Sequence, residues 1–280
     1  MFGSSGMIGS SLLRALQNSN FEINSPSRKE LDLMSQSTCG INEGGVNNII
    51  SAFEPDLIIN LAGIVRQKIG NLASKQEALI VNSVFPVYLD QIAGKLNIDV
   101  ISIATDCVFS GAKGGYVENS PKDGSDFYAA TKIMCEELTP NTSWLRTSVV
   151  GKGKNKGVSL LEWFLSQPNM GEIDGYDNHI WNGVTANSLA KVIVGAIEVG
   201  QTWNGVQHFL PLGKLTKFEL LSLFKIRFGR DDLIIRKIQD KYNVDRSLAT
   251  LNPQLNNSLW SLGGFQTIPT IIDLVEGHCD

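Results

Sequence analysis

Gly3-Ser4-Ser5-Gly6-Met7-Ile8-Gly9, running into the apolar-periodic stretch Ser10-Ser11-Leu12-Leu13-Arg14-Ala15-Leu16, decides how the rest of this chain is read. It has the form of a glycine turn opening a helix, where backbone N–H groups and the helix N-terminus can approach a pyrophosphate. Taken alone, an ordinary Gly/Ser loop ahead of a helix explains the spacing equally well. The pattern downstream supplies the context. Helical periodicity at 46–53 leads into Asp56-Leu-Ile-Ile-Asn-Leu-Ala-Gly63, a continuous apolar run of the kind that forms a buried parallel strand. A long helix over 72–96, broken or kinked near Pro86, strand 99–105, helix 126–138 and strand 143–148 continue the alternation. Short strands are expected at Phe21–Asn24 and Glu30–Leu33. Such alternation implies an α/β fold with a doubly wound, mostly parallel sheet and right-handed crossovers.

Beyond Gly151 the order loosens. Gly151 to Gly157 reads as a polar, flexible loop. Helices at 158–166, 187–198 and 217–228, with strands at 206–210 and 233–237, predict a smaller mixed lobe. The division expected is residues 1–150 for dinucleotide binding and 151–280 for substrate, with helix 187–198 returning to the first part.

A chain of 280 residues can bury a sizeable core, and its 42% hydrophobic and 19% charged residues are those of a soluble globular protein. A net charge of −4 and the lack of any dense Lys/Arg cluster give no basis for nucleic-acid binding. Cys39, Cys107, Cys135 and Cys279 have neither metal-ligand spacing nor the density of a disulfide scaffold, which suits a reducing compartment. No apolar run is long enough to span a bilayer, and no basic segment leads into an apolar one at the N-terminus. A cytoplasmic protein without metal, membrane or nucleic-acid partners is expected.

Chemistry is carried by Asp126-Phe-Tyr-Ala-Ala-Thr-Lys-Ile-Met-Cys-Glu-Glu-Leu138. Tyr128 and Lys132, four apart on a helix, share one face, and an ammonium beside a phenol favours the phenolate, bringing proton transfer toward neutral pH. Many solvated helix faces have this spacing by chance. Thr105, closing the strand Asp99-Val-Ile-Ser-Ile-Ala-Thr105, puts a hydroxyl at the carboxyl end of a strand, where doubly wound sheets bind ligands. Without Tyr128 it would be a strand-terminal threonine with no task. Cys107, close by, is a further candidate to line a site.

Together these residues resemble the extended short-chain dehydrogenase/reductase family, and within it the dTDP-4-dehydrorhamnose reductase branch. The resemblance rests on Ala104-Thr-Asp-Cys-Val-Phe-Ser-Gly111, Gly115-Tyr-Val-Glu118 and Tyr128-Ala-Ala-Thr-Lys132 in order, and on Leu145-Arg-Thr-Ser148, Asn182-Gly-Val-Thr185 and Asp245-Arg-Ser-Leu248. It implies a Rossmann-type fold and an NADPH-dependent reductase of a nucleotide-activated 4-keto sugar, serving surface polysaccharide synthesis, in a protein that can form homodimers. By that resemblance Tyr128 gives a proton to the C4 oxygen, Thr105 hydrogen-bonds it, and Lys132 binds the nicotinamide ribose. Gly3, Ser5, Gly6, Met7 and Ile8 surround the pyrophosphate, Asp32 and Leu33 flank adenine, and Ala62 and Gly63 lie under the middle of the cofactor. Asp106, Cys107, Asn182 and Arg246 are expected at the substrate, and Asn82 resembles a helix asparagine of a proton relay.

Arg28 stands where the family reads the adenosine ribose, with no acidic residue between Asn24 and Arg28. A cation there suits the 2′-phosphate of NADP over the bare hydroxyl of NAD, although a solvated turn explains Arg28 nearly as well.

Two departures stand out. Relatives carry a hydrophobic strand ahead of the glycine turn, and here at most Met1 and Phe2 remain of it. Either the start is misplaced by several codons, the preferred account, or the form is shortened and binds cofactor poorly. Cys107 replaces a tyrosine usual in the branch, which leaves the sugar open. It also counts against a dehydratase, which places an acidic residue there. An epimerase and a catalytically silent homologue are the remaining alternatives.

Overall fold

The computed structural model describes residues 1–34, 40–153 and 159–279; Cys39, most of the loop expected at 151–157 and the first residue of the helix expected at 158 lie outside the described residues. Helix α1 (Met7–Ala15) follows the glycine turn with Gly6 as its N-cap and no side chain bonded to its first N–H groups. After α2 (Glu43–Phe53), capped by Asn42, come β1 (Leu57–Asn60), α3 (Leu72–Leu79), α4 (Phe85–Leu96), β2 (Asp99–Thr105), α5 (Phe127–Glu137) and β3 (Thr142–Thr147). Strands β1, β2 and β3 pair in parallel in that order, as alternating strands and helices dictate. The break expected near Pro86 is a π-helical turn over Ile80–Val84 that joins α3 to α4. Pro86 follows directly on that turn within one continuous helical run, so its missing N–H falls where the hydrogen-bond ladder is already shifted to i→i−5, as in Phe85 N–H to the Ile80 carbonyl.

The strands expected at Phe21–Asn24 and Glu30–Leu33 are not formed. Phe2 bridges Asn60, donating its N–H to the Ile59 carbonyl and accepting from the Leu61 N–H, both at 2.9 Å. Beyond that bridge, a cavity of about 470 Å³ separates Phe21 and Ile23 from Leu57 and Ile59. An extended segment with no neighbouring edge to pair with stays irregular whatever its propensity. At the second site, Ser27 turns the chain by accepting the N–H groups of Glu30 and Leu31 at 3.0 and 2.9 Å.

The second half begins with β4 (Val149–Val150), α6 (Leu160–Leu165), β5 (Glu172–Tyr176), β6 (His179–Trp181), β7 (Val184–Thr185) and α7 (Ala186–Glu198). Then follow β8 (Val206–His208), β9 (Leu215–Thr216), α8 (Lys217–Arg227), β10 (Ile234–Ile238), β11 (Val244–Asp245), α9 (Pro253–Leu262) and α10 (Ile271–His278). Strand β8, expected in the smaller lobe, instead lies parallel to β3 as the fourth strand of the main sheet. Helix α7 packs on α1 and shares a core with it through Leu12, Leu189 and Ile193. A second core, built from Phe164, Ile173, Trp181, Leu220 and Phe224, gathers α6, α8, the pair β5–β10 and the three-stranded sheet β11–β6–β9.

Polar contacts, some half-buried and some fully buried, bolt these parts together. Glu118 accepts from the His208 N–H at 2.9 Å, the Thr250 hydroxyl at 2.6 Å and the Leu251 N–H at 2.8 Å. Arg146, fully buried on β3, pairs with Glu136 of α5 and donates to His208 Nε2 at 2.7 Å, while His208 Nδ1 meets the Ala249 carbonyl at 2.6 Å. Those contacts fix a neutral imidazole with its proton on Nδ1. Burial pushes its pKa down to about 4, with Arg146 acting in the same direction.

Candidate active site

The carboxyl ends of β1 and β2, the first turn of α5 and the glycine turn face one region. Gly3 has φ of +80°, and a Cβ there would come within 2.4 Å of the Ala62 nitrogen and the Leu61 carbonyl carbon. At Gly9 a Cβ would stand 2.2 Å from the Gly3 oxygen. Both positions therefore require glycine for the turn itself. Gly6 differs, since its Cβ would meet only the Gly3 oxygen at 3.4 Å, and with Ser5 it is exposed. An open glycine face over an uncapped helix end is a cradle fitted to a pyrophosphate. Met7 and Ile8 form the first turn of α1 behind it, and Ala62 and Gly63 follow β1 beside it. The Ala62 N–H is held by Asn60 Oδ1 at 3.1 Å.

Thr105 ends β2 and caps a 3-10 turn over Asp106–Val108, its Oγ1 accepting from the Cys107 N–H at 3.2 Å. The hydroxyl donates to Asp106 Oδ1 at 3.2 Å and neighbours the Tyr128 phenol, whose ionisation it favours. Helix α5 starts at Asp126, whose Oδ1 accepts from the Ala129 N–H at 2.9 Å, and this cap sets Tyr128 in the first turn. Tyr128, Thr105, Asp106 and Cys107 thus converge.

Burial raises the Tyr128 pKa, with Cys107 and Asp106 adding to it and the Thr105 hydroxyl and Arg66 opposing it. The Cys107 thiol is likewise pushed up to about 11 by burial and by Asp106. Burial also raises Asp106, against Lys217 and Arg246, which act to lower it. Lys132 points elsewhere: its Nζ donates to the Ile103 carbonyl at 3.3 Å and lies 5.5 Å from the centre of the Trp144 ring. In this arrangement its ammonium is engaged by the strand backbone rather than by the phenol.

Other residues read from the sequence take other positions. Both ends of the Asn182 amide are bound to the backbone of Leu248, accepting its N–H at 2.9 Å and donating to its carbonyl at 2.7 Å. Arg246 Nε donates to the Phe109 carbonyl at 2.9 Å while its charge acts on Asp106 and Cys107. Asn82 closes on Ile64, accepting its N–H at 2.8 Å and donating to its carbonyl at 2.9 Å, with a further contact to Thr131 Oγ1 at 3.2 Å. Arg28 is exposed and pairs with Glu77 at 2.9 Å and more loosely with Asp32 at 4.0 Å; Leu33 follows in the same segment.

Two cations at the site escape motif reading. Lys217 opens α8 directly after the cap Thr216, lies 5.4 Å from the centre of the Trp181 ring, and is pushed down to about 8 by burial with Asp106 pulling upward. A lysine in the first turn of a helix opposes the macrodipole, and that misfit is the only local signal for it. Arg66, on the turn after β1, reaches Tyr128. Its signal is its place after a strand's carboxyl end.

Among the described residues no cluster of potential metal ligands occurs, and no helix is long and apolar enough to cross a membrane.

A parallel sheet with a glycine turn, and with Thr105 and Tyr128 brought together at its carboxyl edge, has the form of an extended short-chain dehydrogenase/reductase. The chain belongs to the family described as the RmlD substrate binding domain, which matches residues 1–268. It is 26% identical over 250 residues to the spore coat polysaccharide biosynthesis protein SpsK of Bacillus subtilis, covering 86% of this chain and 82% of that protein. It is 29% identical over 223 residues to a dTDP-4-dehydrorhamnose reductase of Aggregatibacter actinomycetemcomitans, covering 74% and 71%. The fold resembles that of a Bacillus anthracis dTDP-4-dehydrorhamnose reductase solved with NADP, with a TM-score of 0.78 at 19% identity over 98% of this chain and 95% of that one.

Proposed function

We propose that this protein is a nicotinamide-dependent reductase of a nucleotide-linked 4-keto sugar, with NADPH as the hydride source and surface polysaccharide as the destination of the product. The observation that carries the reading is the Thr105–Tyr128 pair beside a pyrophosphate cradle. The family match and the named reductase relatives support it. Bound in the cradle, the cofactor would supply a hydride to the carbonyl carbon.

The chain's own residues do the rest. The Gly3–Ile8 turn and the N-terminus of α1 would hold the pyrophosphate, Ala62 and Gly63 the middle of the cofactor, and Lys132 the ribose hydroxyls. Thr105 would donate to the carbonyl oxygen while Tyr128 passes its phenolic proton to that oxygen, leaving an alcohol and a phenolate that solvent reprotonates. A phenol held largely protonated in the free protein is loaded for donation. Arg28 supports NADP over NAD, with Glu77 and Asp32 as the carboxylates that a 2′-phosphate would displace. Asp106, Cys107 and Arg246 line the substrate side; Asn182 would act one step back, by holding Leu248.

An epimerase is the second reading, because the same scaffold carries both chemistries; a cofactor that survives purification and no net NADPH consumption would favour it. The deciding experiment follows NADPH absorbance with dTDP-4-keto-6-deoxyglucose-type and UDP-linked 4-keto substrates. Oxidation that depends on both sugar nucleotide and Tyr128 is expected. Failure with every 4-keto sugar nucleotide would end the reductase reading.

A further inference from the structure

We propose that Arg66 is a positioning residue for the proton transfer: its guanidinium, laid against the Tyr128 ring, is the fixed positive charge that opposes the burial of the phenol and eases its ionisation. This deepens the reductase reading and rests on Tyr128 being the proton donor.

The geometry is specific. The Arg66 guanidinium carbon lies 5.9 Å from the centre of the Tyr128 ring. Its Nη2 is 2.6 Å from Asp126 Oδ2, the same carboxylate whose other oxygen caps α5. One side chain therefore anchors the turn after β1 to the start of the catalytic helix. Its Nε and Nη2 are buried and make no hydrogen bond among the described residues, so Asp126 meets the guanidinium as an ion pair alone. A cation beside an aromatic ring favours phenolate more than phenol, because the charge of the phenolate spreads into the ring.

The groups around the phenol come from three sides. From the end of β2 and its turn, the Thr105 hydroxyl favours ionisation of the phenol, while Asp106 and Cys107 disfavour it. From the turn after β1 comes Arg66. From α5 itself come Asp126 and Lys132, and Lys75 of α3 lies over the ring of Phe127, 5.8 Å from its centre. Lys132, the cation that motif reading assigns to the phenol, is turned to the Ile103 carbonyl and the Trp144 ring. Arg66 is thus the cation on the ring before any ligand arrives.

The test replaces Tyr128 with 3,5-difluorotyrosine, whose phenol titrates lower than tyrosine's, and follows its ionisation by fluorine NMR in the full chain without cofactor or substrate. Arg66→Met is expected to raise the midpoint by about one pH unit or more, and Arg66→Lys to recover part of the shift. Asp126→Asn keeps a capping side chain but removes the opposing carboxylate, so it should move the midpoint down. A residue that merely braced the helix would move both ends of the ion pair in the same direction. Lys132→Met should shift the midpoint less than Arg66→Met.

An Arg66→Met midpoint within about 0.3 unit of the parent, or a larger shift from Lys132→Met, would overturn the proposal. The titration needs no turnover. A protein that reduced no 4-keto sugar would lose the proposed function and leave this ordering intact.

Discussion

Thr105 and Tyr128 reach one another from the carboxyl end of β2 and the first turn of α5, so the site exists only while strand and helix keep their register. Removing the phenolic hydroxyl by Tyr128→Phe deletes the proton donor and little packing. Turnover should fall by about 10³-fold or more, with dinucleotide affinity changed only a few fold. Thr105→Val should lower kcat by about 10²-fold, since it removes one donor to the developing oxyanion. Steady-state kinetics alongside cofactor titration by fluorescence would check both.

The glycine turn separates folding from binding. Gly3→Ala and Gly9→Ala each drive a Cβ into backbone, at 2.4 and 2.2 Å, and should destabilise the protein by about 2 kcal/mol or more in denaturant titrations. Gly6→Ala meets nothing closer than 3.4 Å. It should fold within about 1 kcal/mol of the parent and lose dinucleotide affinity by about tenfold or more, because the methyl group points to where the pyrophosphate must sit.

His208 makes the fold acid-sensitive. The unfolded chain takes up a proton on this imidazole near its ordinary value of 6.5, whereas the folded chain resists until about 4. More protons are bound by the unfolded state across that window, so stability falls as pH falls. The loss between pH 6.5 and 5 should be on the order of 2 kcal/mol. His208→Gln keeps an acceptor for Arg146 and should flatten that slope in urea denaturation at stepped pH.

Arg28 should govern cofactor choice through its charge. Arg28→Ala is expected to weaken NADPH by about tenfold while leaving NADH nearly unchanged. Glu77→Gln releases the guanidinium from its closest carboxylate and should move the preference the other way. The ratio of kcat/KM for the two cofactors reads both. Equal losses with NADPH and NADH would remove Arg28 from phosphate recognition.

Asn182 is expected to report on stability before substrate. Asn182→Ala breaks a two-point hold on the Leu248 backbone and should reduce unfolding free energy by about 2 kcal/mol. A large rise in KM with unchanged stability would instead place its amide on the sugar nucleotide.

Much of this architecture is written locally. The apolar runs at 57–60 and 99–105 and the amphipathic stretch of α7 carry their own periodicity, and Thr105 and Tyr128 sit at strand-end and helix-start positions that short patterns define. Extended structure at Phe21–Asn24 was legible as propensity but depends on an adjoining edge, and its neighbour there is a cavity. Strand β8 is only three residues long, and nothing in Val206–His208 itself says which sheet it joins; the buried Arg146, pairing across to His208, settles it. Gly115–Glu118 and Asn182 were visible as motifs, yet their side chains serve as clamps. Arg66 and Lys217 left almost no trace, because each acquires its neighbours from a distant part of the chain.

The bridge from Phe2 to Ile59 and Leu61 ties the phosphate turn directly to the flank of the sheet that borders the cavity. With a dinucleotide held at that turn, grip on the ligand and rigidity of the flank would be coupled through this bridge. A dinucleotide taken up there would slow amide exchange along Leu57–Ile59, and a second ligand that rigidified the same flank would raise dinucleotide affinity by the factor by which the dinucleotide raised its own.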